Sequence, residues 1–252
     1  MIEFRNVTKK YGPIIALNAV SFQIEPGEIV GLVGANGAGK TTAIKLLTQY
    51  IEPEHGEIFI DDASTKKRIG QSISYIPDEP VYYEFMTLYE HLQFIQAMYP
   101  YGEFNTEQIV AKLSLSDQLE KLPHTLSKGN KQKLMIATAL LRNFNYLVAD
   151  EPFTGLDPKQ INVLKQILME LRQRNKGILL STHLLDVIEL FCDRYILIDN
   201  GSIVATGSKT EIAKCHGLSP QLTVEKIYIS LTDHTGEGLH YDDENCFPVD
   251  EE

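Results

Sequence analysis

The nonapeptide GANGAGKTT at residues 34–42 constrains the fold more than any other stretch of this sequence. It fits the pattern G-x-x-x-x-G-K-[ST] and follows the apolar run GEIVGLVG (27–34), which places it between a strand and a helix, as the motif requires. Its glycines allow backbone N–H groups to turn inward around an anion, and the helix N-terminus adds a partial positive charge. The sequence therefore predicts an α/β fold with a phosphate-binding loop.

Each residue of this loop has an expected role. Lys40 is predicted to reach the β- and γ-phosphates of a nucleotide, Thr41 to be a magnesium ligand through its hydroxyl, and Thr42 to continue the helix start beside the phosphates. The alternative is a glycine-rich turn with an incidental lysine, which the strand–loop–helix context disfavours. The predicted binding residues of the loop are Gly34, Asn36, Gly37, Gly39, Lys40, Thr41 and Thr42.

A second apolar run, YLVAD at residues 146–150, ends in two adjacent carboxylates. Such charges are costly at the end of a buried strand. Beside a phosphate-binding loop, Asp150 is expected to hold Mg²⁺ through its water shell, and Glu151 to polarise the attacking water as general base. The alternative is that both carboxylates lie at a strand end in solvent.

His183 follows a third apolar run, GILLST at residues 177–182. Ligands of open α/β sheets bind outside the C-terminal ends of the strands. His183 is therefore predicted to donate a hydrogen bond to the γ-phosphate, or to hold the attacking water and Glu151 in line. A single histidine at a strand end is otherwise most often structural.

Strand-like runs alternate with helical patterns along most of the chain, which is typical of a parallel sheet with crossover helices. The opening segments IEFRNV and AVSFQIEPGE instead predict antiparallel strands closed by a Pro-Gly turn. Between about 86 and 142 the strand pattern stops, and a capping box at Thr87 and Glu90 begins a helix. Further helices are expected near Thr106 and after Ser127, so this segment is predicted to be a helical insertion in one α/β core.

The last helix is predicted to begin at Asp157 and Pro158, with one apolar stripe along it. From about residue 216 the character of the chain changes. Residues 236–252 contain seven acidic side chains and no Lys or Arg, a composition that predicts a solvated, partly disordered tail.

The net charge of the chain limits the classes of partner that it can bind. A net charge of −11 argues against nucleic acid, because a phosphate backbone demands a basic surface. No apolar stretch approaches the ~18–20 residues that cross a bilayer, and three sparse cysteines fit a reducing cytosol. We therefore expect a cytosolic chain that acts at a membrane only through another polypeptide.

Five motifs occur in one order: GANGAGKTT, LSKGNKQK, YLVADEP, GLDP and STH. Together they resemble the nucleotide-binding subunit of an ABC transporter over about residues 2–215. The resemblance implies a RecA-like α/β core with an antiparallel β edge and an inserted α-helical subdomain. It also implies ATP, with Mg²⁺, sandwiched between two head-to-tail subunits. The expected domains are an ABC ATPase domain at 1–215 and a C-terminal extension at 216–252.

Further roles come from the resemblance alone. Tyr11 is similar to the aromatic that stacks on adenine, although it also fits as an ordinary strand residue. Ser127 and Gly129 in LSKGN are similar to the signature that binds the γ-phosphate of ATP held by the opposite subunit, and Ser127 fits a helix N-cap as well. Asp157 resembles an aspartate that crosses the dimer interface, and it too fits an N-cap. Asp78 stands nearest to the position of a glutamine that the family uses beside magnesium.

The aromatic residues Tyr82, Tyr83 and Phe85 either line a groove for a membrane subunit or are buried in the helical subdomain. The resemblance predicts an ATPase that drives a separate transmembrane permease, as a homodimer or heterodimer on the inner face of the cell membrane. Within the family, the chain resembles the ATPases of ABC-2 exporters, including Ecs-like and peptide or bacteriocin exporters. This resemblance implies a peptide, lipid or drug-like substrate. The alternatives are a soluble ABC-type ATPase without a transport role and a non-hydrolysing regulatory ATP sensor.

Overall fold

The computed structural model describes residues 1–61, 63–64 and 72–233, which form two β-sheets and the helices around them. The predictions for the acidic residues 236–252 therefore concern positions outside the described residues. Within the described ranges, no helix combines the length and the apolar character needed to cross a membrane.

The larger sheet has six strands in the order β10-β9-β3-β8-β7-β6. Its strands are β3 (Ile29–Val33), β6 (Ile73–Ile76), β7 (Tyr146–Asp150), β8 (Gly177–Ser181), β9 (Arg194–Asp199) and β10 (Ser202–Gly207). All neighbouring pairs are parallel except β9 with β10. The residues of β3, β7 and β8 are fully buried, which confirms the three predicted apolar strands. Their carboxyl ends meet at one edge of the sheet, where the predicted site residues follow them.

The smaller sheet is antiparallel, in the order β2-β1-β4-β5. Its strands are β1 (Ile2–Tyr11), β2 (Ile14–Ile24), β4 (His55–Ile60) and β5 (Ala63–Ser64). The predicted antiparallel edge is confirmed, but the hairpin turn lies at Gly12 and Pro13. The Pro26–Gly27 turn instead leads from β2 into β3. One core cluster packs the apolar side chains of this sheet against the larger sheet and the helix after β3.

The helices are α1 (Lys40–Leu47), α2 (Leu88–Met98), α3 (Thr106–Leu113), α4 (Lys128–Leu140), α5 (Pro158–Gln173), α6 (Leu185–Ile188), α7 (Lys209–Cys215) and α8 (Val224–Thr232). Helices α2 to α4 lie between β6 and β7, where the helical insertion was predicted. Thr87 forms the predicted capping box with Glu90, and Asn105 is the N-cap of α3. The starts of these helices are therefore specified by capping residues that lie next to them in the sequence.

The C-terminal part of the described chain is more structured than its composition indicates. Helix α5 is capped by Asp157 and buries Leu164, Leu168 and Leu171, but the prediction that it is the last helix is wrong. Helices α6, α7 and α8 follow it. In α8, Val224 and Ile227 are buried in the larger core cluster. Short helices like this one are stabilised mainly by tertiary packing.

Candidate functional site

The phosphate-binding loop connects β3 to α1 and is packed too tightly for most side chains. A Cβ at Gly34 would lie 2.4 Å from the Ile198 carbonyl oxygen, and one at Gly39 would lie 2.7 Å from the Ala16 carbonyl oxygen. Gly37 and Gly39 have positive φ angles of 83° and 115°, a region that glycine adopts without a steric cost. The loop is therefore a backbone-lined cradle at a helix N-terminus, which suits an anion.

Lys40 begins α1, and its ammonium group lies across this loop. Its Nζ donates to the carbonyl oxygens of Gly34 at 2.7 Å and Ala35 at 3.0 Å. Burial lowers the pKa of Lys40, and the nearby Glu151 and Asp150 carboxylates oppose that shift. An ammonium has three donors, so two bonds to the loop leave one donor for a phosphate oxygen.

Thr41 and Asp150 approach each other from α1 and from the end of β7. The Thr41 hydroxyl donates to Asp150 Oδ2 at 3.3 Å, and the side chain of Asp150 is buried. Burial raises the pKa of Asp150 from its usual value, because a charged carboxylate is costly to remove from water. A hydroxyl and a carboxylate beside a phosphate cradle form the oxygen donor set that Mg²⁺ prefers.

Glu151 is held in a constrained conformation next to this donor set. Its φ angle is +48°, which is uncommon for a residue with a side chain, and its N–H donates to the Ser181 carbonyl at 2.8 Å. Glu151 Oε2 accepts from the Thr182 hydroxyl at 2.9 Å and lies 2.8 Å from His183 Nδ1. Backbone strain of this kind persists where surrounding contacts over-determine it, and here it aims the carboxylate at the cleft.

A cleft of about 390 Å³ opens between these elements. It brings together most of the predicted loop residues with Asp78, Asp150, Glu151 and His183. Its lining residues are Ala16, Asn36, Gly37, Gly39, Lys40, Thr41, Thr42, Asp78, Asp150, Glu151, Thr154, Ser181 and His183. Gly34 contributes its carbonyl to Lys40. The arrangement can bind a phosphate chain and a divalent cation, with one carboxylate aimed at the space beside them.

Besides Gly34, four predicted residues are not among those lining the cleft. Tyr11 is at the end of β1 with 45% of its surface exposed, and Lys9 Nζ lies 5.8 Å from its ring centre. Ser127 caps α4 by accepting from the Asn130 N–H at 3.3 Å, and Asp157 caps α5 in the same way. A Cβ at Gly129 would lie 2.6 Å from the Gly155 carbonyl oxygen, so that glycine permits a close contact between the two helix starts. The capping alternatives for Ser127 and Asp157 are thus satisfied within the chain.

The aromatic residues after β6 divide between the two predicted environments. Tyr82 packs against the larger core cluster, with Lys131 Nζ 5.7 Å from its ring centre. Tyr83 and Phe85 are exposed over 59% and 92% of their surfaces. Val81 of the same segment lines a groove of about 560 Å³, together with residues that include Tyr50 and Arg142.

The sequence reasoning missed Thr182 and Tyr228, which hold groups of the site, and the lining residues Ala16, Thr154 and Ser181. Thr182 is the second donor to Glu151, and its only sequence signal is a hydroxyl between a strand end and His183. The Tyr228 hydroxyl accepts from the N–H of Ala35 in the phosphate-binding loop at 2.9 Å. No local pattern indicates that contact.

The fold and the site define a P-loop nucleotide-binding protein with an inserted helical subdomain. Residues 17–154 match the family model described as ABC transporter, and the chain belongs to the family of ABC transporter ATP-binding subunits. The ABC-type transporter ATP-binding protein EcsA of Bacillus subtilis (strain 168) is 34% identical, over 92% of this chain and 96% of that protein. Members of this family hydrolyse ATP, and the chain is an ATPase of this class.

Solved structures agree with this assignment. A structure described as the ATP-binding subunit of an ABC transporter superposes with a TM-score of 0.86 at 35% identity, over 92% of this chain and 99% of that one. A dimeric post-hydrolysis cassette, MJ0796 bound to ADP and Pi, gives a TM-score of 0.73 at 26% identity, over 82% of this chain and 98% of that one. The expected RecA-like fold with its β edge and helical subdomain is therefore confirmed.

Relatives named for opposite transport directions also match. Nod factor export ATP-binding protein I of Burkholderia orbicola (strain AU 1054) is 30% identical over 100% of this chain and 87% of its own length. Methionine import ATP-binding protein MetN 1 of Pseudomonas putida (strain KT2440) is 34% identical over 96% of this chain and 76% of its own length. The family match by itself therefore leaves the direction of transport open.

Proposed function

We propose that this chain is the magnesium-dependent ATPase subunit of an exporter and that Glu151 is its general base. The observation that carries the proposal is the placement of the Glu151 carboxylate by Thr182 and His183, beside the Thr41–Asp150 pair. A base that is held by two donors at the edge of a phosphate cradle suits the activation of a water for in-line attack.

The remaining residues of the cleft divide the work of binding. The loop backbone and Lys40 would hold the phosphates, Thr41 and Asp150 would hold Mg²⁺, and Asp78 lines the same cleft as a further acidic group. A bound Mg²⁺ would neutralise charge on the phosphate oxygens. His183 keeps the Glu151 carboxylate aligned and, with 65% of its side chain exposed, is accessible to a γ-phosphate. Tyr11 offers its exposed ring for stacking on adenine.

We further propose that two copies, or this chain and a homologous one, close head to tail around ATP. Ser127, Gly129 and Asp157 support this because they lie at two neighbouring helix starts away from the chain's own cleft, where a helix N-terminus can receive a phosphate. In a two-fold dimer the same patch serves both sites. The cassette MJ0796, solved as a dimer bound to ADP and Pi, supports dimerisation.

A transmembrane permease subunit is the proposed partner of the groove beside β6, and it would hold the chain at the inner face of the cell membrane. The exposed Tyr83 and Phe85 support this, as does the groove that Val81 of the same segment lines, because exposed apolar surface marks interaction sites. The LSKG signature favours an exporter, and a peptide, lipid or drug-like molecule is the proposed class of substrate. The net charge of −11 disfavours a nucleic-acid partner.

The test of the proposed function is Glu151→Gln, with Glu107→Gln on the exposed surface of α3 as the matched control. Glu151→Gln should keep ATP binding and lower kcat by at least about 100-fold, since a general base contributes roughly 10²–10⁴-fold. Chelation of Mg²⁺ should abolish turnover in the parent protein. Parental turnover by Glu151→Gln would show that the general-base assignment is wrong.

A further inference from the structure

The C-terminal helix α8 reaches the phosphate-binding loop through one side chain. The Tyr228 hydroxyl accepts from the N–H of Ala35 at 2.9 Å and donates to Asp199 Oδ1 at 3.4 Å. The hydroxyl therefore accepts one hydrogen bond from the loop and donates one to the end of β9. Burial raises the pKa of Tyr228, so the hydroxyl keeps the proton that it donates to Asp199.

The N–H that Tyr228 accepts belongs to the peptide group that anchors Lys40. The carbonyl of that peptide is Gly34 C=O, and its oxygen receives Lys40 Nζ at 2.7 Å. In a trans peptide the N–H and the C=O point in opposite directions. Tyr228 and Lys40 therefore hold opposite ends of one peptide group. A hydrogen bond accepted from its N–H also polarises the carbonyl, which strengthens the bond to the ammonium.

Helix α8 is fixed well enough to act as a support. Val224 and Ile227 are 2% and 1% exposed. At the start of the helix, the Val224 N–H donates to Glu189 Oε2 at 3.1 Å, and Lys209 pairs with the other oxygen of that carboxylate at 2.9 Å. The position of Tyr228 is therefore determined by the core and not by the loop that it contacts.

A second contact holds the far side of the same loop. The β9–β10 hairpin turns at Asn200 and Gly201, both with positive φ, and the Gly201 N–H donates to the Ala38 carbonyl at 3.0 Å. Tyr228 is hydrogen-bonded to Asp199 at the start of this turn. Helix α8 and the hairpin together therefore hold the loop at Ala35 and at Ala38.

We propose that Tyr228 is a positioning residue for nucleotide binding, which fixes the Gly34–Ala35 peptide that anchors Lys40 and so links helix α8 to the affinity of the loop for phosphate. Tyr228 acts through the backbone, from 193 positions along the chain. The inference rests on the proposed binding of a nucleoside diphosphate or triphosphate by the loop. It assigns to the segment after residue 216 a role in ATP binding that its composition does not indicate.

The test is Tyr228→Phe, which removes the hydroxyl and keeps the ring. Loss of one hydrogen bond should raise the Kd for Mg²⁺-ADP about three- to ten-fold, measured by titration calorimetry. In steady-state ATPase assays KM should rise by a similar factor, while kcat stays within about two-fold, because Glu151 and its donors are untouched. Amide hydrogen exchange at Ala35 should become faster. That readout reports the peptide directly.

The matched control is Tyr195→Phe, since Tyr195 is a buried tyrosine whose hydroxyl donates to the Ile188 carbonyl at 3.4 Å. It should leave the Kd for ADP and Ala35 exchange unchanged. If Tyr228→Phe does not fold, Asp199→Ala removes the acceptor of the hydroxyl, together with the bond that Asp199 Oδ2 accepts from the Asn200 side chain, and Ala35 exchange should still become faster. Equal Kd and exchange in Tyr228→Phe and the parent, or a fall in kcat at constant KM, would overturn this inference alone. A parent protein that binds no ADP would overturn the proposed function as well.

Discussion

Thr182→Val gives the sharpest test of how the Glu151 carboxylate is positioned. Thr182 is 1% exposed, and valine has nearly the same shape, so the substitution deletes a hydroxyl without leaving a cavity. The lost bond is the 2.9 Å contact from the hydroxyl to Glu151 Oε2. The hydroxyl also accepts from the Leu184 N–H at 3.1 Å, so the variant loses two hydrogen bonds.

The size of the effect follows from these two bonds. A hydrogen bond to a charged group contributes about 1.5–3 kcal/mol. We take the lower end because His183, 2.8 Å away, still holds the carboxylate. About 1.5 kcal/mol corresponds to a roughly ten-fold fall in kcat. The unpaired Leu184 N–H should cost about 1–3 kcal/mol in the free energy of unfolding.

The assay separates the effect on kcat from the effect on stability. Steady-state ATPase kinetics at saturating Mg²⁺-ATP give kcat, and urea denaturation gives the free energy of unfolding. Thr182→Ser keeps the hydroxyl and should recover most of the lost kcat. A Thr182→Val protein that is folded and within two-fold of the parental kcat would refute the reasoning, as would a serine variant impaired to the same degree.

Two further predictions concern the dimer and the tail. In a homodimer, mixing inactive Ser127→Arg and Lys40→Ala chains should restore part of the ATPase activity. The reason is that one composite site in each hybrid joins an intact phosphate-binding loop to an intact signature. Hybrids that form but stay inactive would contradict a signature that acts in trans. Truncation before Gly236 removes the acidic residues and keeps α8. In the same ATPase assay, kcat and KM should stay within about two-fold of the parental values. A larger change in either constant would show that the acidic residues act on the site.

Much of the nucleotide site could be predicted from local patterns. The loop at 34–42 carries its own conformational requirements in its glycines. Asp150, Glu151 and His183 lie at or just past the ends of apolar runs that are typical of buried parallel strands. Since parallel strands end at the same edge of a sheet, their following residues were expected to meet there, and they line one cleft.

The C-terminal part was predicted less well. From about residue 216 the sequence carries no recognised motif, and helix α8 was not predicted; it is short and has two buried apolar side chains, Val224 and Ile227. Their burial depends on surfaces supplied by distant elements, which a local pattern does not contain. The same limit explains the missed role of Thr182, since one hydroxyl has no periodicity to reveal its partner.

The sequence by itself determined the class of fold, the phosphate-binding loop and the positions of the acidic residues, because each depends on short-range backbone requirements or on the alternation of strands and helices. Only the tertiary structure decided how those groups are held. Glu151 obtains its direction from Thr182 and His183, and the Gly34–Ala35 peptide obtains its support from Tyr228. These contacts join residues 31 to 193 positions apart, and hydrogen bonds over such separations exist only once the core has packed.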